Sequence, residues 1–141
     1  MIHFIRTFFY SKKPNQKSLI RWFAIFWSLF IVLLCFMPSD DVPKIIIPYL
    51  DKLVHTFLFI GFSFLWLASL PRFNHWHLLF YWLISIGFGW LIEIGQGQLK
   101  YLGRSFDLVD ILADAIGAIL GIVIFYIGYI FTLRNTNHTD L

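Results

Sequence analysis

The chain has 141 residues, of which 59% are hydrophobic, 21% aromatic and only 13% charged, with a formal net charge of +3. A soluble domain carries roughly 25% charged residues, so this composition excludes a water-soluble globular protein and leaves room for one membrane domain. The basic residues cluster beside a hydrophobic segment and give no basis for a nucleic-acid partner. The single cysteine, Cys35, excludes an internal disulfide and a cysteine zinc site, and we expect a buried thiol.

Four hydrophobic segments are long enough to cross a bilayer core of roughly 30 Å, which requires about 20 apolar residues. We predict spans at residues 22–37, 53–70, 78–94 and 111–133. Pro38, Pro71 and the glycines Gly95 and Gly97 follow the first three segments and predict their ends. The fold class is therefore all-α, a polytopic membrane helix bundle of about four transmembrane helices.

The remaining residues form two polar ends. Residues 1–21 are a basic N-terminal segment whose apolar residues beside Arg6 are compatible with an interfacial helix or a disordered tail. Residues 22–133 form the membrane domain, and residues 134–141 a polar C-terminal tail.

The distribution of charge predicts the orientation. The N-terminal segment, the connection between the second and third spans and the C-terminal tail carry seven Lys and Arg, against four in the other two connections. The positive-inside rule therefore places both termini in the cytoplasm. Seven of the eight acidic residues then lie toward the extracytoplasmic side, and Asp140 is the exception. The seven are Asp40, Asp41, Asp51, Glu93, Asp107, Asp110 and Asp114.

Polar side chains cluster where the second and third spans meet this outer side. Asp51, Lys52 and His55 open the second span at spacings of three and four, which place them on one side of a helix. Glu93 and Gln96 close the third span, again three residues apart.

The fourth span opens with an acidic stripe. Asp107, Asp110 and Asp114 follow Arg104 at the i, i+3, i+7 spacing of one helix face. Gly117, Ala118 and Gly121 continue this stripe, and such small residues allow a neighbouring helix to approach closely. We therefore expect the polar groups of all three helix ends to face the bundle interior.

Burial of these groups requires partners. An Asp or Lys at the centre of a membrane helix costs about 2.5–3.5 kcal/mol on insertion scales, and Glu93 and Asp114 lie about one turn inside the apolar boundary. Lys52, His55 and Arg104 are the available cations. Structural alternatives stay open at this point: Asp51 and Lys52 as helix cap and interfacial anchor, His55 as a packed histidine, and Arg104 as a latch to Asp107 or Asp110.

Three motifs in this order resemble those of the VanZ-like family of bacterial membrane proteins, named for a teicoplanin-resistance accessory protein. The motifs are Asp51-Lys52-Leu53-Val54-His55, Glu93-Ile94-Gly95-Gln96, and Gly103-Arg104-Ser105-Phe106-Asp107-Leu108-Val109-Asp110 followed by Gly117-Ala118-Ile119-Leu120-Gly121. The resemblance spans roughly residues 20–131 and implies a multi-pass protein of the bacterial cytoplasmic membrane. Some members of the family are tied to glycopeptide resistance. Asp114 departs from the family pattern, which more often has Asn.

The first functional hypothesis is an accessory or binding protein of the cell envelope. Its ligand would be a lipid head group, a cell-wall precursor or a glycopeptide-type antibiotic. Lys52 and Arg104 would hold phosphate or carboxylate, with Arg104 able to bind in a bidentate manner. The predicted binding residues are Asp51, Lys52, His55, Glu93, Gln96, Arg104, Asp107 and Asp110.

The second hypothesis is a membrane enzyme that acts on an envelope lipid or lipid-linked precursor, with His55 or Glu93 as general acid or base. A metal-dependent enzyme would use His55 and Glu93 with Asp107 or Asp110 as ligands, a set suited to Mg or Mn more than to zinc. The chain has no G-x-S-x-G, H-E-x-x-H or P-loop motif. We therefore favour a non-enzymatic role and assign no cofactor and no metal.

A third hypothesis is a small transporter subunit, which requires a homo-oligomer because four spans are few for a carrier. Plain scaffolding is the remaining alternative.

Overall fold

Four long helices make up the computed structural model, which describes residues 14–38 and 49–137. They are α1 (Pro14–Cys35), α2 (Leu50–Ala68), α3 (Trp76–Gln98) and α4 (Leu108–Asn137), and a one-turn 3₁₀ helix (Lys100–Leu102) connects α3 to α4. The described ranges contain no strand. All four helices are long and apolar enough to cross a membrane, which confirms the predicted all-α, four-span architecture.

The helices do not coincide with the predicted spans, and two of the differences have a clear physical reason. Helix α1 begins at Pro14, well before residue 22, and proline suits this first helical position because its missing N–H has no partner there. Helix α3 continues through Gly95 and Gly97 to Gln98, so the prediction that these glycines end it is wrong. A Cβ atom at Gly95 would overlap the ring of Phe36, and one at Gly97 would lie in tight contact with Phe106. These glycines serve close packing rather than helix termination.

Helix α2 occupies the centre of the bundle, packing against α1, α3 and most extensively α4. A Cβ atom at Gly117 would overlap the carbonyl oxygen of Thr56, and one at Gly121 would overlap that of Ile60. The hydroxyl of Ser63 donates a hydrogen bond to the carbonyl oxygen of Ala118 across this interface, at 3.0 Å. The close approach predicted from the small-residue stripe is confirmed.

The apolar interior consists of two clusters, one toward each end of the bundle. One comprises Ile31, Cys35, Leu58, Phe59, Phe62 and Ile92, and the other comprises Ile20, Leu67, Ala68 and Phe125. The burial of Cys35 agrees with its predicted role as an internal thiol. Many large apolar side chains lie instead on the outer surface, as expected of helices that face lipid.

The up-and-down connectivity brings the ends of α1 and α3 together with the starts of α2 and α4. We call this end of the bundle the polar end, because polar residues of the three motifs, among them Asp51, Glu93 and Asp110, all lie there. At the opposite end, the Lys17 ammonium donates to the carbonyl oxygen of Ala68 at 2.8 Å. Asp40, Asp41, Lys44 and the N-terminal segment before Pro14 lie outside the described residues.

Candidate functional site

Lys52 is the centre of an ion-pair network at the polar end. Its Nζ atom lies 2.7 Å from Asp51 Oδ2, 2.5 Å from Asp107 Oδ2 and 2.7 Å from Asp110 Oδ1. An ammonium group has three N–H donors, so these three carboxylates can use all of them. Lys52 therefore fastens the start of α2 to the start of α4.

Asp107 lies immediately before α4 and caps it. Its Oδ1 atom accepts a hydrogen bond from the backbone N–H of Val109 at 2.8 Å, the usual contact of an N-cap aspartate. The hydrogen bond from Lys52, reinforced by the one from Val109, holds the pKa of Asp107 below its ordinary value. Asp107 is thus an ionised cap, and its own backbone N–H donates to Glu93 Oε2 at 2.8 Å.

His55 and Asp114 form a buried pair between α2 and α4. His55 Nδ1 lies 2.9 Å from Asp114 Oδ1, and the two residues are only 8% and 0% exposed. Asp114 Oδ2 has no hydrogen-bond partner among the described residues. It lies against Gly89 of α3, where any Cβ would collide with it, so this glycine provides the space for the carboxylate.

Asp114 was not among the predicted binding residues. Its position on the stripe with Asp107 and Asp110 was visible in the sequence. Its pairing with His55 was not, because the two residues lie on different helices and their contact depends on the register between α2 and α4.

Glu93 and Gln96 project from α3 into the bundle. Glu93 is fully buried, and while Oε2 accepts from Asp107, Oε1 has no hydrogen-bond partner among the described residues. Gln96 Nε2 donates to the carbonyl oxygen of Cys35 at 2.6 Å. Gln96 therefore satisfies a carbonyl at the end of α1, and Glu93 Oε1 is left without a partner among the described residues.

His55, Glu93 and Asp110 converge on one point inside the polar end. Each offers a ligand-type atom, and these three atoms all lie within 4.8 Å of one another. We call these residues, together with Asp114, the inner cluster. Asp107 does not belong to the converging set, although the sequence left it and Asp110 as alternatives.

Arg104 stands apart from the inner cluster at the same end. Gly103 adopts a φ of 69°, which favours glycine, and ends the 3₁₀ helix just before it. Arg104 Nε donates to the carbonyl oxygen of Met37 at 3.1 Å, past the end of α1. Within residues 14–38 and 49–137, the guanidinium forms no ion pair. The latch considered from the sequence is absent there, since Asp107 and Asp110 pair with Lys52 instead.

Most of the sequence matches a known family. A family model described as VanZ/LLP1 matches residues 1–131. The chain belongs to the VanZ/LLP1 family. This confirms the resemblance inferred from the three motifs, and the VanZ/LLP1 match includes every residue of the inner cluster as well as Arg104. No curated protein and no solved structure matches the chain significantly.

Proposed function

We propose that this VanZ/LLP1 protein is an accessory protein of the bacterial cytoplasmic membrane that binds an anionic group of an envelope ligand at its extracytoplasmic face. The ligand class is a phosphate-bearing lipid head group, a lipid-linked cell-wall precursor or a glycopeptide-type antibiotic with its carboxylate. A role in antibiotic resistance would follow from sequestering or shielding such a ligand.

The observation that carries the proposal is the pattern of contacts made by the Arg104 guanidinium. Its Nε is held by Met37, while its two terminal nitrogens form no ion pair with the described residues. Those two nitrogens are the fork that binds phosphate or carboxylate in a bidentate manner. Lys52, the other predicted anion ligand, has its donors engaged by three carboxylates. Arg104 is therefore the anion-binding group in this proposal.

The surroundings of Arg104 suit an amphiphile at the membrane surface. Tyr49, Tyr101 and Phe106 are exposed at the same end of the bundle. Tyrosines settle at the membrane–water interface, where the head group of a lipid meets its chains. A ligand anchored by its chains in the bilayer would thus present its phosphate at the height of Arg104.

The proposal is tested by titrating the purified protein in uncharged detergent with phosphatidylglycerol, a polyprenyl diphosphate or a glycopeptide, with native mass spectrometry as the readout. A charge-assisted hydrogen bond contributes about 1.5–3 kcal/mol, so Arg104→Ala should weaken binding of the true ligand about tenfold or more. Arg104→Lys should lose less affinity, because it keeps the charge but not the fork. The three titrations separate the three ligand sources.

Arg72→Ala is the matched control, because Arg72 is an exposed arginine in the α2–α3 connection at the other end of the bundle. It should leave binding unchanged. Equal affinities for the wild type and Arg104→Ala, with all three ligands, would contradict the proposal. If Arg104→Ala and Arg72→Ala lost the same affinity, the ligand would be held by non-specific attraction to positive charge and not by a site at Arg104.

A further inference from the structure

We infer that the inner cluster is a binding site for a divalent metal ion of the Mn²⁺ type, with His55, Glu93 and Asp110 as ligands and Asp114 as the residue that orients His55. This inference does not depend on ligand binding at Arg104. It concerns a different group of residues, deeper in the bundle and drawn from α2, α3 and α4.

The geometry of the three ligands is the first argument. Their candidate atoms lie within 4.8 Å of one another, and all three residues are buried. Three ligand atoms spaced evenly around a small divalent ion, with bonds of about 2.0–2.2 Å, lie at most about 3.8 Å apart. Closing the site therefore requires a contraction of at most about 1 Å between ligand atoms, within reach of side-chain rotation.

The unpartnered oxygen of Glu93 is the second, independent argument. Glu93 is 0% exposed, its carboxylate takes part in the convergence, and Oε1 has no hydrogen-bond partner among the described residues. A buried carboxylate oxygen that lacks a partner carries a large desolvation cost. Coordination of a cation by Glu93 and Asp110 removes this cost.

In the His55–Asp114 pair, the carboxylate of Asp114 orients the His55 ring as it would for a metal ligand. The bond between Nδ1 and Asp114 Oδ1 at 2.9 Å assigns the ring proton to Nδ1 when the carboxylate is ionised, which leaves Nε2 with a lone pair for the metal. Metal-ligating histidines regularly donate their other N–H to a carboxylate in this way, which fixes the tautomer and the ring orientation. Asp114 is thus a positioning residue.

The local charge also favours a cation. Five carboxylates surround one lysine and one histidine; they are Asp51, Glu93, Asp107, Asp110 and Asp114. The single positive charge of Lys52 is shared by three of them. Although Lys52 lies 2.7 Å from Asp110 Oδ1, a carboxylate has a second oxygen that can ligate a metal at the same time. Because Glu93 and Asp114 are fully buried and do not pair with Lys52, a bound cation would balance charge that water cannot reach.

The donor set selects the kind of metal. One imidazole nitrogen with two carboxylates disfavours Ca²⁺ and Mg²⁺, which prefer oxygen alone, and the lack of a thiolate disfavours softer ions. Three protein ligands also leave positions open to water. Mn²⁺ accepts this mixed environment, and its electron paramagnetic resonance gives a direct probe.

The test uses the full chain, purified in detergent, freed of metal with a chelator and titrated with MnCl₂. We expect one Mn²⁺ per chain, measured as loss of the free-ion resonance. The bound ion should show ¹⁴N coupling from one imidazole in pulsed measurements. This second readout needs only the wild type, so it decides the question even if a variant fails to fold.

Variants then assign the ligands. His55→Ala should abolish the ¹⁴N coupling, and Glu93→Gln and Asp110→Asn should each weaken Mn²⁺ binding more than Asp114→Asn does. Loss of a carboxylate that orients a ligating histidine typically lowers affinity about 10–100-fold, which is the effect expected of Asp114→Asn with the ¹⁴N coupling retained. His75→Ala, a histidine at the opposite end of the bundle, should change nothing.

Two results would overturn the inference. One is a wild-type protein that leaves the free Mn²⁺ resonance undiminished at millimolar metal. The other is bound Mn²⁺ without ¹⁴N coupling, which would place the ion on surface carboxylates. Neither result bears on Arg104, and loss of head-group binding in Arg104→Ala would leave the metal measurement unaffected, so the two proposals fail separately.

Discussion

At the scale of single residues, the two cations of the polar end, Lys52 and Arg104, have different roles. Lys52 pairs with carboxylates of the protein itself, whereas Arg104 donates to a backbone carbonyl and its guanidinium forms no ion pair with the described residues. Lysine suits the first role because its three donors can point at three separate carboxylates, and arginine suits the second because its planar fork matches one anion. The residue types at the two positions are therefore not interchangeable.

Asp107 makes a pH-dependent contribution to stability. Its pKa is lowered in the folded protein by Lys52 and by the N–H of Val109, so its contribution is complete above the ordinary carboxyl pKa, about 3.9. That contribution is lost as the pH falls through the lowered pKa. Asp107→Asn keeps the cap but removes the charge, and it should lower the unfolding temperature in detergent by a few degrees at neutral pH.

The measurement is the unfolding midpoint of both proteins from neutral to acidic pH. The two midpoints should converge as acid protonates Asp107 in the wild type. Asp107→Ala serves as the comparison, because it also loses the cap and should stay below Asp107→Asn at every pH. A constant gap between the wild type and Asp107→Asn across the whole range would show that the charge of Asp107 does not stabilise the fold.

At the scale of helices, glycine positions determine how closely the elements approach. Gly117 and Gly121 let α4 touch the backbone of α2, and Gly89 of α3 leaves room for Asp114. The same close approach brings His55 within 2.9 Å of Asp114. The geometry of the inner cluster therefore depends on residues that carry no functional group.

Gly117→Ala should destabilise the bundle because its Cβ would overlap the backbone of Thr56, which cannot move aside like a side-chain end. Overpacking of this kind costs about 1–3 kcal/mol. Gly87→Ala is the matched control in another membrane helix, since nothing lies within 4 Å of its added Cβ. It should be neutral or slightly stabilising, because alanine favours helix by about 1 kcal/mol over glycine.

The two variants are compared by unfolding in mixed detergent micelles, with helicity from circular dichroism as the readout. The free energy of unfolding should fall for Gly117→Ala alone. Equal stability of the two variants would mean that α2 and α4 are not in close contact at this point.

At the scale of the whole molecule, the four helices form an up-and-down bundle with polar chemistry at one end and apolar side chains on the outside. The charge bias of the connections predicts that the polar end faces away from the cytoplasm. Membrane topology decides which ligands can reach Arg104, so this orientation is central to the proposed function.

Single cysteines test the orientation in a Cys35→Ala background. A membrane-impermeant maleimide applied to intact cells should label Tyr101→Cys, at the polar end, and should not label Asn74→Cys, in the α2–α3 connection. Asn74→Cys should react only after permeabilisation. The reverse pattern would place the polar end in the cytoplasm and would contradict an extracytoplasmic ligand.

The sequence by itself determined the class and the plan of this protein. Hydrophobic length identified four spans, charge spacing located the polar groups at three helix ends, and three motifs pointed to the VanZ/LLP1 family, which the family match confirms. These features are local along the chain, so composition and periodicity suffice to detect them.

Only the tertiary structure decided which polar groups meet. From the sequence, Lys52 could pair with any of several carboxylates, and Arg104 with Asp107 or Asp110. In the structure, the register of α2 against α4 places Asp107 and Asp110 beside Lys52. The same register joined His55 to Asp114, which the sequence placed on the acidic stripe but not among the predicted binding residues. Contacts between helices depend on rotation and close packing, here through Gly89 and Gly117, and spacing within one helix carries no information about them.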